Sequence, residues 1–144
     1  MSKGPEANFW NTLRNALPKK TQATRIENKH GGGIPDVHLL WDGLPFWIEL
    51  KVAKGNAVKV SPHQVAWHMA YYNRGGLSFF LVKDVSSRTI VSFDGNNGPD
   101  LLSKGLSSDH GTRFKNPAAL FEVLRPRIVD HYANVLRPAS CVLY

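Results

Sequence analysis

Two acids and a lysine stand close together in "GIPDVHLLWDGLPFWIELK", residues 33–51: Asp36, Glu49 and Lys51. Carboxylate oxygens are the hard ligands that Mg2+ prefers. Mg2+ takes only one or two of them from a protein and fills its other positions with water and phosphate. A lysine beside such a pair can orient a water or stabilise negative charge building up on a phosphorus. The chemistry these groups offer is phosphodiester hydrolysis, in which a metal polarises the phosphate and acidifies a bound water. A solvated charge cluster on a sheet edge, with Lys51 as a plain counterion, is the other reading of the same residues.

The choice between them depends on the element that carries the acids. Asp42-Gly43 is a strong two-residue hairpin turn, because both central positions of that turn need a positive φ. With the turn there, Trp41 faces Leu44, Leu39 faces Phe46 and Val37 faces Ile48, and this apolar set shares one face. Asp36 then falls opposite Glu49, on the other face with His38 and Trp47. Lys51, two residues past Glu49, points the same way. A slip of one residue would undo both results. Carboxylates directly opposed have Cβ atoms ~5 Å apart. They repel by roughly 3 kcal/mol at an effective dielectric of about 20, so the register demands positive charge nearby.

The flanking segments supply the scaffold. Residues 5–17 read as a helix, with Pro5 in the first turn, Phe9, Trp10, Leu13 and Leu17 as its apolar stripe, Glu6 at the border of that stripe and Pro18 as its stop. A short strand is expected around 24–27. The glycines of "HGGG", 30–33, allow a close backbone approach or a tight loop. Ser61-Pro62-His63-Gln64 combines an N-cap serine, a first-turn proline and a capping-box glutamine, opening a helix that runs to 73. Its expected stripe is Val65, Met69 and Tyr72. Residues 77–85 and 88–93 read as strands around a tight turn at Ser86-Ser87. Residues 94–116 are rich in Gly, Asn, Ser and Asp, and read as a long functional or mobile loop. Asn116-Pro117 opens a final helical region with Leu120, Val123 and Leu124 on one side, continued by Ile128, Tyr132 and Val135. Pro126 is expected to kink or divide it. The order gives an α/β sandwich around a small mixed sheet.

The totals agree with a nucleic-acid partner. The chain has 144 residues, a net charge of +7 and a pI near 9.8. That length suits one domain, and that charge attracts polyanions. The single cysteine, Cys141, allows no disulfide framework and no cysteine-based zinc site. His63 and His68 are five apart, off one helical face, and read as surface or lining residues. No apolar run reaches the ~20 residues of a membrane span. The polar N-terminus is unlike a signal peptide, so a cytoplasmic protein is expected.

"GIPD" at 33–36, "IELK" at 48–51 and "SPHQVAWH" at 61–68 resemble the PD-(D/E)XK nuclease superfamily. Within it they resemble the small VRR-NUC-type nucleases and archaeal-type Holliday junction resolvases, often phage-encoded. The resemblance implies a restriction-endonuclease-like α-βββ-α-β core at about 5–93, with a small mixed central sheet flanked by helices. A loop and C-terminal helical extension over 94–144 would complete a single domain. It implies metal ligation by Asp36, Glu49 and the Leu50 main-chain carbonyl, with Mg2+ as the ion and Mn2+ able to substitute. Lys51 becomes the catalytic lysine. Gln64 matches the glutamine those nucleases carry on the helix after the lysine, and is equally explained by its capping box. Glu6 matches the acid of the family's first helix, and is also a favourable acid in a helix's first turn. Glu27 competes for that role.

The implied activity is Mg2+-dependent, structure-selective DNA cleavage of the junction-resolving kind, in a bacterial or phage-infected cell. Two symmetric cuts require a two-fold homodimer. The alternatives are a restriction-like or end-processing nuclease, an RNA nuclease, and a DNA-binding module that has lost cleavage. Candidate contacts to branched or duplex DNA are Lys19, Lys20, Arg25 and Lys29 before the glycine loop. Lys54, Lys59 and Arg74 flank the second helix, and Lys104, Arg113 and Lys115 lie in the long loop. Trp67, Tyr71 and Tyr72 are candidates for stacking on bases, for joining subunits or for core packing.

Overall fold

The Asp42-Gly43 turn forms as the sequence predicts, with φ of 48° and 88°. It joins β2 (Val37–Trp41) to β3 (Leu44–Ala53), with Val37 opposite Ile48, Leu39 opposite Phe46 and Trp41 opposite Leu44. This is a computed structural model, and it describes residues 4–27 and 32–136. Around the hairpin the order is α1 (Pro5–Asn15), β1 (Thr21–Arg25), β2, β3, α2 (Pro62–Asn73), β4 (Ser78–Asp84), β5 (Thr89–Asp94), α3 (Gly98–Lys104), β6 (Thr112–Phe114) and α4 (Pro117–Val135). The leading part is the expected α-βββ-α-β core. The strands form one six-stranded sheet in the order β1-β2-β3-β4-β5-β6. It is mixed, because β3 and β4 are parallel and the other pairs antiparallel. Parallel neighbours need a crossover, and α2 is that crossover.

Each face of the sheet has its own apolar layer. Phe9, Trp10 and Leu13 of α1, with Leu120, Phe121, Leu124 and Ile128 of α4, pack against Val37, Leu39, Phe46, Ile48 and Leu50. On the opposite face Phe80, Val82, Val91 and Phe93 pack with Leu101 of α3 and with Val58 and Val60. Glu49 and Lys51 come off this second face, towards α2.

Several expectations are corrected. α1 stops at Asn15, before Pro18. β1 lies at Thr21–Arg25, not 24–27. Only Ala23 packs into the core there, so its alternation is polar and hard to read. Residues 94–116 are not a loop: 3-10 turns at Gly95–Asn97 and Gly105–Ser107 bracket α3, and β6 extends the sheet. Leu101, the one apolar residue that α3 buries completely, is too little to show periodicity. α4 is one continuous helix through Pro126. Proline removes the donor for the carbonyl four residues back; here that is Glu122, which is exposed, so water can serve it. Val123 and Val135, expected on the apolar side, are exposed, and Phe121 is buried instead. The segment after Asp94 is therefore built into the same sheet and core. Tyr132 of α4 fastens it, donating to the Pro45 carbonyl and accepting the Leu77 N–H.

Candidate metal centre

Asp36 lies one step beyond the Val37–Ile48 pair, which places it opposite Glu49. Its Oδ2 accepts the Leu50 N–H at 2.8 Å. Every second pair of an antiparallel ladder exchanges both backbone bonds; the β2–β3 ladder ends at Val37–Ile48, and buried Pro35 stands two residues before Val37. The aspartate side chain, rather than a strand carbonyl, takes the Leu50 donor, and a proline beside it has no N–H to offer the Leu50 carbonyl. The Pro-Asp dipeptide thus places a carboxylate and a main-chain carbonyl at the same edge of β3.

Glu49 is 2% exposed. Its Oε2 accepts from Gln64 Nε2 at 2.9 Å and lies 3.6 Å from Lys51 Nζ. Gln64 has two roles at once. Its Oε1 takes the Ser61 N–H at 3.0 Å, and its own N–H donates to Ser61 Oγ at 3.1 Å, completing the capping box. The cap fixes the side chain, so the amide nitrogen is aimed at Glu49 without further loss of rotamer freedom.

The glycine loop packs against this helix start. A Cβ on Gly33, whose φ is 88°, would lie 2.2 Å from the His63 carbonyl oxygen, and one on Gly32 would lie 2.8 Å from the His63 ring. The glycines therefore let the Pro-Asp segment cross the N-terminus of α2. Gly31 lies outside the described residues.

One turn after Gln64 comes a residue whose role the sequence hid. His68, expected at the surface or lining a site, is completely buried and is the only fully buried residue of α2. Val65, Met69 and Tyr72, the expected stripe, are half-buried. The helix covers a polar site rather than an oily core, which displaces the stripe. His68 Nδ1 is 2.6 Å from Ser78 Oγ, and its ring lies 4.0 Å from that of Phe80. Nε2 has no hydrogen-bond partner among the described residues. Burial drives the His68 pKa from 6.5 down to about 3; Asp36 opposes this and Lys51 adds to it. The signal available in the sequence was its spacing of four from Gln64.

The remaining candidates are scattered. Glu6 is exposed on α1 and lines a groove with Val52, Lys54 and Lys59. Glu27 lines a different cleft, one that includes Asp36. Arg25 is at the Asp36 end of β1, whereas Lys19 and Lys20 sit at the hairpin-turn end, where Lys20 accepts the Asp42 N–H at 2.8 Å. Arg74 bonds the Ala70 carbonyl at 3.1 Å. Lys104 pairs with Asp100. Arg113 is engaged within the fold, 2.8 Å from Asp84 and bonded to Ser87 and Thr89. Lys29 lies outside the described residues. Trp67 packs edge-on to Trp47 at 5.6 Å and stacks on Tyr71 at 5.0 Å, while Tyr72 tilts against His131. Trp67 thus fastens α2 to the hairpin, and Tyr72 fastens it to α4.

No family model matches the chain, and no curated protein matches it. Among solved structures it is similar to Hjc, a Holliday junction resolvase from the archaeal hyperthermophile Archaeoglobus fulgidus. The TM-score is 0.49 at 14% identity, over 81% of this chain and 89% of that one. At that distance the likeness does not bear on chemistry, which the side chains of the site must carry themselves.

Proposed function

We propose that this protein is a divalent-metal-dependent nuclease that hydrolyses DNA phosphodiester bonds, of the junction-resolving kind and working as a two-fold dimer. The observation that carries the reading is the buried Glu49 carboxylate, held between Gln64 and Lys51 and placed across the hairpin from Asp36. A carboxylate 2% exposed is costly to keep charged unless it is paired or ligates a cation. Surface ornament does not require that burial.

Asp36, Glu49 and the Leu50 carbonyl would hold the cation. Among the described residues no three His, Cys, Asp or Glu cluster as a metal cage. Two carboxylates and a carbonyl suit Mg2+ or Mn2+, which tolerate a shell completed by water and phosphate. When bound, the cation supplies Lewis acidity and a more acidic water. Lys51, with its side chain only 11% exposed, stabilises the charge that develops as phosphorus becomes pentavalent, where little water competes. Gln64 fixes the orientation of Glu49. In-line attack by water forms one P–O bond and breaks the bond to the sugar oxygen; the attacking water gives up a proton to solvent, and the sugar oxygen leaves with a proton from solvent.

The test is cleavage of a four-way junction, a flap and a linear duplex with Mg2+, Mn2+ or EDTA. Paired nicks in the junction with metal, and none in EDTA, are expected. Asp36→Asn and Lys51→Met are each expected to slow cutting by about 100-fold or more while DNA binding persists. Undiminished cutting by Asp36→Asn would place the site elsewhere. Binding without cutting by the native protein would leave a DNA-binding module.

A further inference from the structure

Of the seven arginines among the described residues, three are ion-paired and four, Arg14, Arg25, Arg74 and Arg88, are not; of those four, Arg14 and Arg25 share one cleft. Arg113, Arg125 and Arg127 each form an ion pair, with Asp84, Asp42 and Asp94. Arg14 and Arg25 form no ion pair among the described residues, and both line one cleft of about 550 Å3. Trp10, Asn11 and Arg14 of α1 form one wall, Arg25 and Glu27 the other, and Asp36 also lines it.

The fold explains the pairing. Arg25 is half-buried like Ala23, two residues earlier, so it comes off the face of β1 that α1 covers. Burial of Phe9, Trp10 and Leu13 seats α1 on that face and fixes where Arg14, in its last turn, emerges. A basic residue in a last turn also complements the helix dipole, but that effect does not account for Arg25. Asp36 belongs to the metal centre, so the cleft leads to the place where the scissile phosphate would dock.

We propose that Arg14 and Arg25 form a clamp for a second backbone phosphate, on the same strand as the one being cut. The ligand class is a nucleic-acid phosphodiester backbone. Guanidinium forks match phosphate oxygens in pairs, and Asn11 lines the same cleft with an amide donor. The inference rests on the nuclease reading and adds a direction to it: the strand runs along α1 and the end of β1. It does not run past the hairpin turn, where Lys20 stands about 17 Å away along β1.

The test is metal-free binding of a four-way junction and a short duplex at several salt concentrations. Native protein, Arg14→Ala, Arg25→Ala, the double variant and Lys20→Ala are compared. Each single arginine variant is expected to bind about 3- to 10-fold more weakly. The double variant is expected to flatten the slope of log K against log salt by about 2. Lys20→Ala should match the native protein in both. Arg25→Lys, which keeps the charge, is expected to keep the slope, and this separates lost phosphate contact from a disturbed fold. A double variant with native slope and affinity overturns the clamp. If the arginines matter for binding but metal-dependent cutting never appears, the nuclease reading falls and the clamp stands. If cutting is normal and the arginines are silent, the reverse holds.

Discussion

At Glu49 a single oxygen faces both an amide donor and an ammonium, and the arrangement depends on neighbours that stay rigid. His68 is one of them, and its burial has a measurable consequence. Its folded pKa of about 3 lies below the ordinary 6.5, so between those values the unfolded chain binds a proton that the folded chain does not. The stability gained by keeping the ring neutral is complete above pH 6.5 and is lost as pH falls towards 3, at about 1.4 kcal/mol per pH unit. Urea unfolding from pH 7 to pH 4.5 is expected to show this slope, and His68→Phe is expected to flatten it. An unchanged slope would mean that His68 is hydrated in the native state. The sequence announced Asp36, Glu49 and Lys51 as a chemical set because a period of two and a defined turn fix which side chains share a face. His68 was not legible, because a polar residue at a helical spacing looks the same whether its face meets water or a buried site.

Among elements, the hairpin was readable and the loops were not, for opposite physical reasons. An Asp-Gly turn leaves one register that buries the apolar set, whereas the glycine loop is defined by what it touches. Gly33 is where this can be tested. A Cβ there would meet the His63 carbonyl oxygen at 2.2 Å with φ at 88°, so Gly33→Ala is expected to destabilise by about 2 kcal/mol or more. Gly43→Ala, also at φ 88° but with nothing near its Cβ, carries only the backbone cost of about 1 kcal/mol. Equal melts for the two would remove the loop–helix contact. Arg113 shows how a basic residue misleads. Its hydrogen bond holds the Asp84 carboxyl below the ordinary 3.8, so the pair stabilises above pH 3.8 and the gain is lost as pH falls through the lowered value. Asp84 is buried but Arg113 is half-exposed, so after solvent screening the pair is worth about 1 kcal/mol. Arg113→Ala is expected to lower stability by that amount at pH 7 and to leave DNA affinity unchanged; a weakened complex would return it to the interface.

Over the whole molecule, among the described residues, side chains from both sheet faces converge at the Asp36 end of the hairpin. α1 brings the cleft of Arg14 and Arg25 to it, and α2 brings Gln64. The acids and the lysine come from the sheet between them. The +7 charge attracts a polyanion, and in the proposed reading this convergence is where it would be hydrolysed. The most direct measurement is the anomalous difference map of a crystal soaked in Mn2+. It is expected to show an ion ligated by Asp36, Glu49 and the Leu50 carbonyl, and to lose that peak in Glu49→Gln. Absence of an ion between those groups, or an ion bound elsewhere while cutting proceeds, would contradict the assignment.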